Sequence, residues 1–180
     1  VWMGAWVLAF LAGMVNVVGL LGFQHQAITH LTGNSSLLAA AIAHGGRPAA
    51  AMLALLMGAF VSGAASGGCI IQDATLRLGR RYGVALAMVS ALLLTAGWLM
   101  SRGLVTGMYA AACACGLQNA MASTYSGSVV RTTHVSGMFT DIGIAIGHLV
   151  RGLRVDVRRL KLCALVITGF ISGGVAGGAG

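Results

Sequence analysis

Long apolar runs, almost free of charge, constrain this chain more than any other feature. Residues 2–22, 49–71, 83–100, 104–122 and 162–180 are such runs. Crossing ~30 Å of hydrocarbon takes about 20 apolar residues in a helix. Charged residues make up only 8% of the chain, against roughly 25% in an ordinary globular domain. The runs are continuous rather than alternating, which argues against a transmembrane β-barrel. Disorder, a coiled coil and a disulfide scaffold are excluded by the same composition, with 28 glycines and one proline, Pro48. The expectation is an all-α integral membrane protein, one transmembrane domain over residues 1–180.

Eleven Lys and Arg stand against three acidic residues. They gather where apolar runs end: Arg77, Arg80 and Arg81, then Arg151, Arg154, Arg158, Arg159 and Lys161. That placement suits loops facing anionic headgroups. No aromatic residues interleave with the basic ones, so no nucleic-acid partner is expected. The four cysteines, Cys69, Cys113, Cys115 and Cys163, lie inside apolar runs and read as small packing residues. Residues 1–22 lack a positive start and a cleavage site, so they read as a span rather than a signal peptide.

Two shorter apolar pieces, Leu31–Ala43 and Val135–Val150, are related to each other. Thr29-His30-Leu31-Thr32-Gly33 matches Thr133-His134-Val135-Ser136-Gly137 at an offset of 104. Over 29–44 against 133–148, six of sixteen positions are identical. The flanking helices match as well: Gly13 and Asn16 with Gly116 and Asn119, and Phe60 to Gly63 with Phe170 to Gly173. The chain thus reads as an internal repeat, roughly 1–100 and 101–180, whose second copy lacks its last helix.

Counting cations chooses the topology. If both short pieces cross, the two sides hold seven and four, which is indecisive. If both are re-entrant, the sides hold nine and two. The expectation is therefore about five full crossings plus two short re-entrant helices, with the N-terminus cytoplasmic and the copies inverted. Leu149, Leu153, Val157 and Leu160 recur at helical spacing with Arg151, Arg154 and Arg158 on another face, so 149–161 reads as an amphipathic interfacial helix.

Polar groups inside a membrane are costly, and each invites a partner or a task. Thr32, Gly33, Asn34 and Ser36 open the first short helix, and Ser136, Gly137 and Thr140 open the second. Hydroxyls and amides suit N-caps, glycine admits a close approach, and a helix N-terminus offers free N–H donors and partial positive charge. Two such ends meeting at the midplane would form a site for a polar or anionic solute, walled by Asn16, Gln118, Asn119 and Asp141. Asp141 reads as lying in the first turn of its helix, either as a proton or cation carrier or as the partner of His134 or an arginine. Gly63 with Gly67, and Gly169 with Gly173 and Gly177, read as packing seams. No catalytic motif appears, so neither an enzyme nor a cofactor or metal site is expected.

At Thr32-Gly33-Asn34, Gly116-Leu117-Gln118-Asn119-Ala120 and Thr133-His134-Val135-Ser136-Gly137 the sequence resembles the YoaK-like family of bacterial membrane proteins. The resemblance runs from about Gly13 to Gly178. It implies a multi-pass inner-membrane protein and supplies no activity. The chain departs from the family pattern at Asn16, where an aspartate is common, and at Ser136, where a threonine is. Loss of that carboxylate argues against proton coupling through the first helix. The resulting expectation is a small transporter or channel for a small polar or anionic solute. The other reading is a non-catalytic accessory subunit of a larger membrane complex. The expected partners are the lipid bilayer, the solute, and either a second copy or a larger complex.

Overall fold

The computed structural model describes residues 2–22, 27–71, 80–125 and 132–179. Among the described residues the chain forms seven helices and no strand. They are α1 (Trp2–Gly22), α2 (Leu31–Ala43), α3 (Arg47–Ile70), α4 (Arg80–Ser101), α5 (Thr106–Tyr125), α6 (Val135–Val150) and α7 (Val157–Ala179). Four of them, α1, α3, α4 and α7, are long and apolar enough to cross a membrane, so the chain is compatible with a multi-pass membrane protein. The run at 104–122 becomes α5, 20 residues long. Its second half carries Gln118, Asn119, Ser123 and Thr124, and every residue from Ala114 to Asn119 is buried.

Helix ends follow local rules. Gly45, Gly103 and Gly152 all have φ near +70°, the left-handed conformation that glycine adopts without steric cost. Each sits just past a helix and is followed by a residue whose N–H reaches back five positions: Gly46 to Ala41, Leu104 to Leu99 and Leu153 to His148. This pair of bonds closes a helix C-terminus. Pro48 occupies the first turn of α3, where its missing N–H has no intrahelical partner to lose.

The same rules correct the expectation for 149–161. α6 stops at Val150, residues 151–156 are non-helical, and α7 starts at Val157. Gly152 ends one helix, and Asp156 starts the next by accepting the N–H groups of Arg158 and Arg159 at 2.9 and 3.2 Å. A left-handed glycine and an N-cap aspartate override the apolar period between them.

Two seams hold the helices together. In the first, α1 and α7 run parallel, with Trp6 against Gly169, Phe10 against Gly173 and Met14 against Gly177. In the second, α3 and α5 run parallel, with Gly63 against Cys113 and Gly67 against Leu117. A Cβ on Gly13 would strike the Phe170 carbonyl, and one on Gly116 would strike the Phe60 carbonyl. Glycine is required there because backbone meets backbone. α4 lies antiparallel to α5: the Tyr82 hydroxyl donates to the Met121 carbonyl at 3.0 Å, while Met100 covers Gly107.

The short helices do not run the length of their neighbours. Ile28, just before α2, packs in a cluster with Leu56, the tenth residue of α3. Val135, the first residue of α6, packs on the cluster containing Val166, the tenth residue of α7. Each short helix therefore begins beside the interior of the next helix and connects to that helix's start through a turn. α1 and α5 are antiparallel, since Gln118 reaches the Leu8 carbonyl while Val15 joins the cluster of Met108 and Ala111.

Adding a methyl at a seam should be costly in proportion to how rigid the opposing atom is. Gly13→Ala and Gly116→Ala are each expected to lower stability by about 1–3 kcal/mol in detergent unfolding. Gly58→Ala, where a Cβ meets open space, should be neutral or slightly stabilising.

Candidate functional site

Four of the nine expected polar residues, Asn16, Asn34, Gln118 and Asn119, gather at the starts of the two short helices, in two similar clusters. In the first, the Asn16 Oδ1 on α1 accepts both the N–H and the hydroxyl of Thr29, at 3.0 and 2.8 Å. Asn34 is 2% exposed and its Nδ2 donates to the Ala27 carbonyl at 3.0 Å. The two amides thereby fix the segment entering α2 from opposite sides. An asparagine suits this task because one side chain presents both donors and an acceptor.

In the second cluster, the Asn119 Nδ2 on α5 donates to the Thr133 hydroxyl at 2.6 Å, and its Oδ1 accepts the Thr132 hydroxyl at 3.1 Å. Gln118 is 1% exposed. Its Nε2 donates to the Leu8 carbonyl on α1 and, at 3.4 Å, to the Thr132 hydroxyl. One buried amide thus joins α5, α1 and the segment entering α6. Buried polar groups far from water must find such partners.

The glycines have a different role from the one expected. A Cβ on Gly33 would meet the His30 ring, and one on Gly137 would meet the His134 ring at 2.8 Å. What approaches each glycine is the imidazole three residues earlier, folded over the first turn. His30 and His134 hold the N-cap positions, and neither makes a side-chain cap. The capping expected of the hydroxyls is therefore corrected. Thr32 and Ser136 lie inside the helices and are exposed. Ser36 donates to the Thr32 carbonyl at 3.2 Å and Thr140 to the Ser136 carbonyl at 3.0 Å, so these hydroxyls serve their own helix.

Two further expectations are corrected. Asp141 is the seventh residue of α6 rather than part of its first turn, and its partner is Arg159, with both carboxylate oxygens 3.0 Å from one guanidinium nitrogen. Of the alternatives for Asp141, pairing with an arginine is the one present. The short helices also do not meet. α2 packs on α3 and α6 on α7, and α2 and α6 share no contact. The α1–α5 crossing and the Gln118–Leu8 bond lie between the two clusters, so the residues form two polar clusters rather than one shared pocket. A cavity of about 300 Å³ lies elsewhere, between α3, α4 and α5, lined by Gly63, Ser66, Met88, Leu92, Cys113 and Leu117. None of the expected site residues reaches it.

Thr29, Thr132, Thr133 and Arg159 complete these arrangements and were absent from the expected set. Thr29 and Thr133 carried a visible signal, since they align in the repeat. Thr132 carried none, because its counterpart is Ile28, and Arg159 was hidden among neighbouring loop cations.

A family profile described as a protein of unknown function (DUF1275) matches residues 4–180. No curated protein and no solved structure matches the chain.

Asn119→Leu leaves the Thr132 O–H without its acceptor at a site 1% exposed, and Asn16→Leu does the same to the Thr29 N–H and hydroxyl at a site 4% exposed; each is expected to cost about 1–3 kcal/mol. Adding Thr132→Val should recover part of the Asn119→Leu loss. A double-mutant cycle in detergent unfolding checks the coupling, and additive losses would contradict it.

Proposed function

The chain belongs to the DUF1275 family, and from that premise we propose that it is a small multi-pass transporter or channel for a small polar or anionic solute. We further read it as two inverted copies, α1 to α3 and α5 to α7, with α4 joining them. The YoaK-like resemblance bears on the membrane part of this reading alone, and with it we place the chain in a bacterial inner membrane.

The observation that carries the proposal is the depth at which the short helices begin. Each starts beside the interior of its neighbour rather than at its end, has no side-chain cap on its N-terminus, and is held by an asparagine–threonine cluster. In a bilayer, irregular backbone at that depth is tolerated only inside protein or beside water. Half-helix N-termini at such depth bind anions and polar groups in broken-helix transporters.

Inversion draws support from the contacts. A shift of 103 takes Gly13 to Gly116 and Phe10 to Cys113, and a shift of 110 takes Phe60 to Phe170 and Gly63 to Gly173. Under those shifts the Gly13–Phe170 contact becomes Gly116–Phe60, and Phe10–Gly173 becomes Cys113–Gly63. The antiparallel run of α1 and α5 is the orientation that inverted copies require. In this reading a solute meets one half-site at Asn16, Thr29 and Asn34 and another at Asn119, Thr132 and Thr133, with Gln118 between them.

The topology has a direct test. Gly46→Cys in the α2–α3 turn and Arg154→Cys in the α6–α7 turn should react with a membrane-impermeant thiol reagent from opposite sides of sealed vesicles. Labelling from the same side would favour seven full crossings and remove the inverted pair. Function is tested by solute flux into proteoliposomes across a panel of small anions and neutral polar solutes. Flux should fall at least tenfold in Asn119→Leu while the protein still inserts. No flux for any solute would overturn transport.

A second reading, an accessory subunit, is favoured by one observation. Gly107 of α5 is covered by Ala96 and Met100 of α4, while Gly4, at the shift of 103 on α1, has open space. Val7 on the next turn is exposed, as are Val18 and Leu21 towards the far end of α1. A partner's helix would fit there as α4 fits on α5. Native purification in fixed stoichiometry with a second chain, together with absent flux, would select this reading.

A further inference from the structure

We propose that the turn between α6 and α7 is a docking surface for an anionic phospholipid leaflet, with Arg151, Arg154 and Arg158 taking the headgroup phosphates. The proposal rests on the membrane reading above and adds to it the lipid chemistry that one end of the molecule selects.

The argument starts from what the fold does not need. The α2–α3 turn closes with Gly45 at φ 71° and the α6–α7 turn with Gly152 at φ 69°, by the same pair of backbone bonds. The first turn does so with Arg47 as its one Lys or Arg. From His44 to Phe60 there are 16 positions and from His148 to Phe170 there are 22. The second connection is thus six residues longer, and 151–161 holds five cations: Arg151, Arg154, Arg158, Arg159 and Lys161. Closing the turn does not explain them.

Protein partners do not explain them either. Arg159 is held by Asp141. Asp156 spends one carboxylate oxygen on the N–H groups that begin α7. Arg151, Arg154 and Arg158 are exposed, and among the described residues their side chains have no ion-pair or hydrogen-bond partner. Three guanidiniums on one turn of chain form a strong field for phosphate, which they can grip with paired N–H groups.

The apolar residues beside them choose the source of that phosphate. Val150 is 84% exposed, Val157 58% and Leu153 47%, interleaved with the arginines. A free phosphate ion would leave these side chains in water. A leaflet surface takes both, with apolar side chains at the glycerol level and guanidiniums at the phosphates. Nucleic acid fits less well, since 149–161 contains no aromatic residue on which a base could stack.

The test uses the full chain purified in a neutral detergent and titrated with short-chain phosphatidylglycerol, short-chain phosphatidylcholine or inorganic phosphate, with thermal unfolding as the readout. Phosphatidylglycerol should stabilise the parent, and raising the salt should weaken the effect. Phosphatidylcholine and inorganic phosphate should not stabilise it. The triple variant Arg151→Gln/Arg154→Gln/Arg158→Gln should bind phosphatidylglycerol on the order of 100-fold more weakly, while Arg47→Gln should bind as the parent does. Equal binding by the triple variant, equal stabilisation by inorganic phosphate, or no distinction between the two lipids would each overturn the proposal. Should the triple variant fail to fold, salt dependence in the parent still decides, because an insensitive affinity is incompatible with three exposed guanidiniums. A chain that stays dispersed without detergent would instead overturn the membrane reading, so the two failures are separable.

Discussion

Everything else in the molecule depends on backbone meeting backbone along the α1–α7 and α3–α5 seams. Apolar side chains gain nothing from leaving lipid for one another, so helices in a bilayer associate through close packing and polar contacts. Gly13, Gly173, Gly63 and Gly116 supply that closeness, each lying where a Cβ would enter a neighbouring carbonyl. The seams also sort the helices into two groups. α6 packs on α7, which packs on α1, while α2 and α4 pack on the α3–α5 pair. The groups meet chiefly where α1 crosses α5, and there one amide, Gln118, bridges to the Leu8 carbonyl. The Asn16–Thr29 and Asn119–Thr132 bonds add polar ties between the same two groups.

The short helices follow from that division. Each hangs on one long helix by a tight turn, and its other end would be loose without an anchor. Asn16 anchors Thr29, and Asn119 anchors Thr132 and Thr133. Such bonds contribute only about 0.6 kcal/mol each on average in membranes. That is enough to position a segment. Close packing along the seams and positioning of the tips are therefore carried by different residues.

Much of this was legible in the sequence, and the boundary of legibility has physical causes. Apolar run length gave the long helices, because crossing hydrocarbon requires it. The glycine spacings gave the seams, and the aligned Asn, Thr, His and Gly gave the positions of both polar clusters. What stayed hidden was relational. Nothing local says that His30 folds over Gly33, since that depends on a rotamer. Whether the tips of α2 and α6 face each other depends on where α1 crosses α5, which no spacing encodes. The period through Leu149, Leu153 and Val157 pointed to a helix because periodicity counts side chains and ignores backbone. Gly152 and Asp156 decide that stretch, and each is a single residue within an otherwise helical pattern. The segments 23–26, 72–79 and 126–131 lie outside the described residues, and with them Arg77 and part of the polar stretch before each short helix.

Besides the arginine-rich turn, the two halves differ in an ion pair. At the shifts that align the copies, Asp141 corresponds to Leu37 and Arg159 to Ala49. Both members are present in one half and both are replaced by small or apolar residues in the other, as expected of groups that work as a unit. The pair is not needed for stability: Arg159 is about half exposed, and such pairs contribute about 0–1 kcal/mol. Its effect is directional. It ties the middle of α6 to the first turn of α7, beside the arginine-rich turn, whereas α2 is tied to α3 by its turn and apolar packing. Among the described residues α6 therefore carries a charge contact to its long neighbour that α2 does not have.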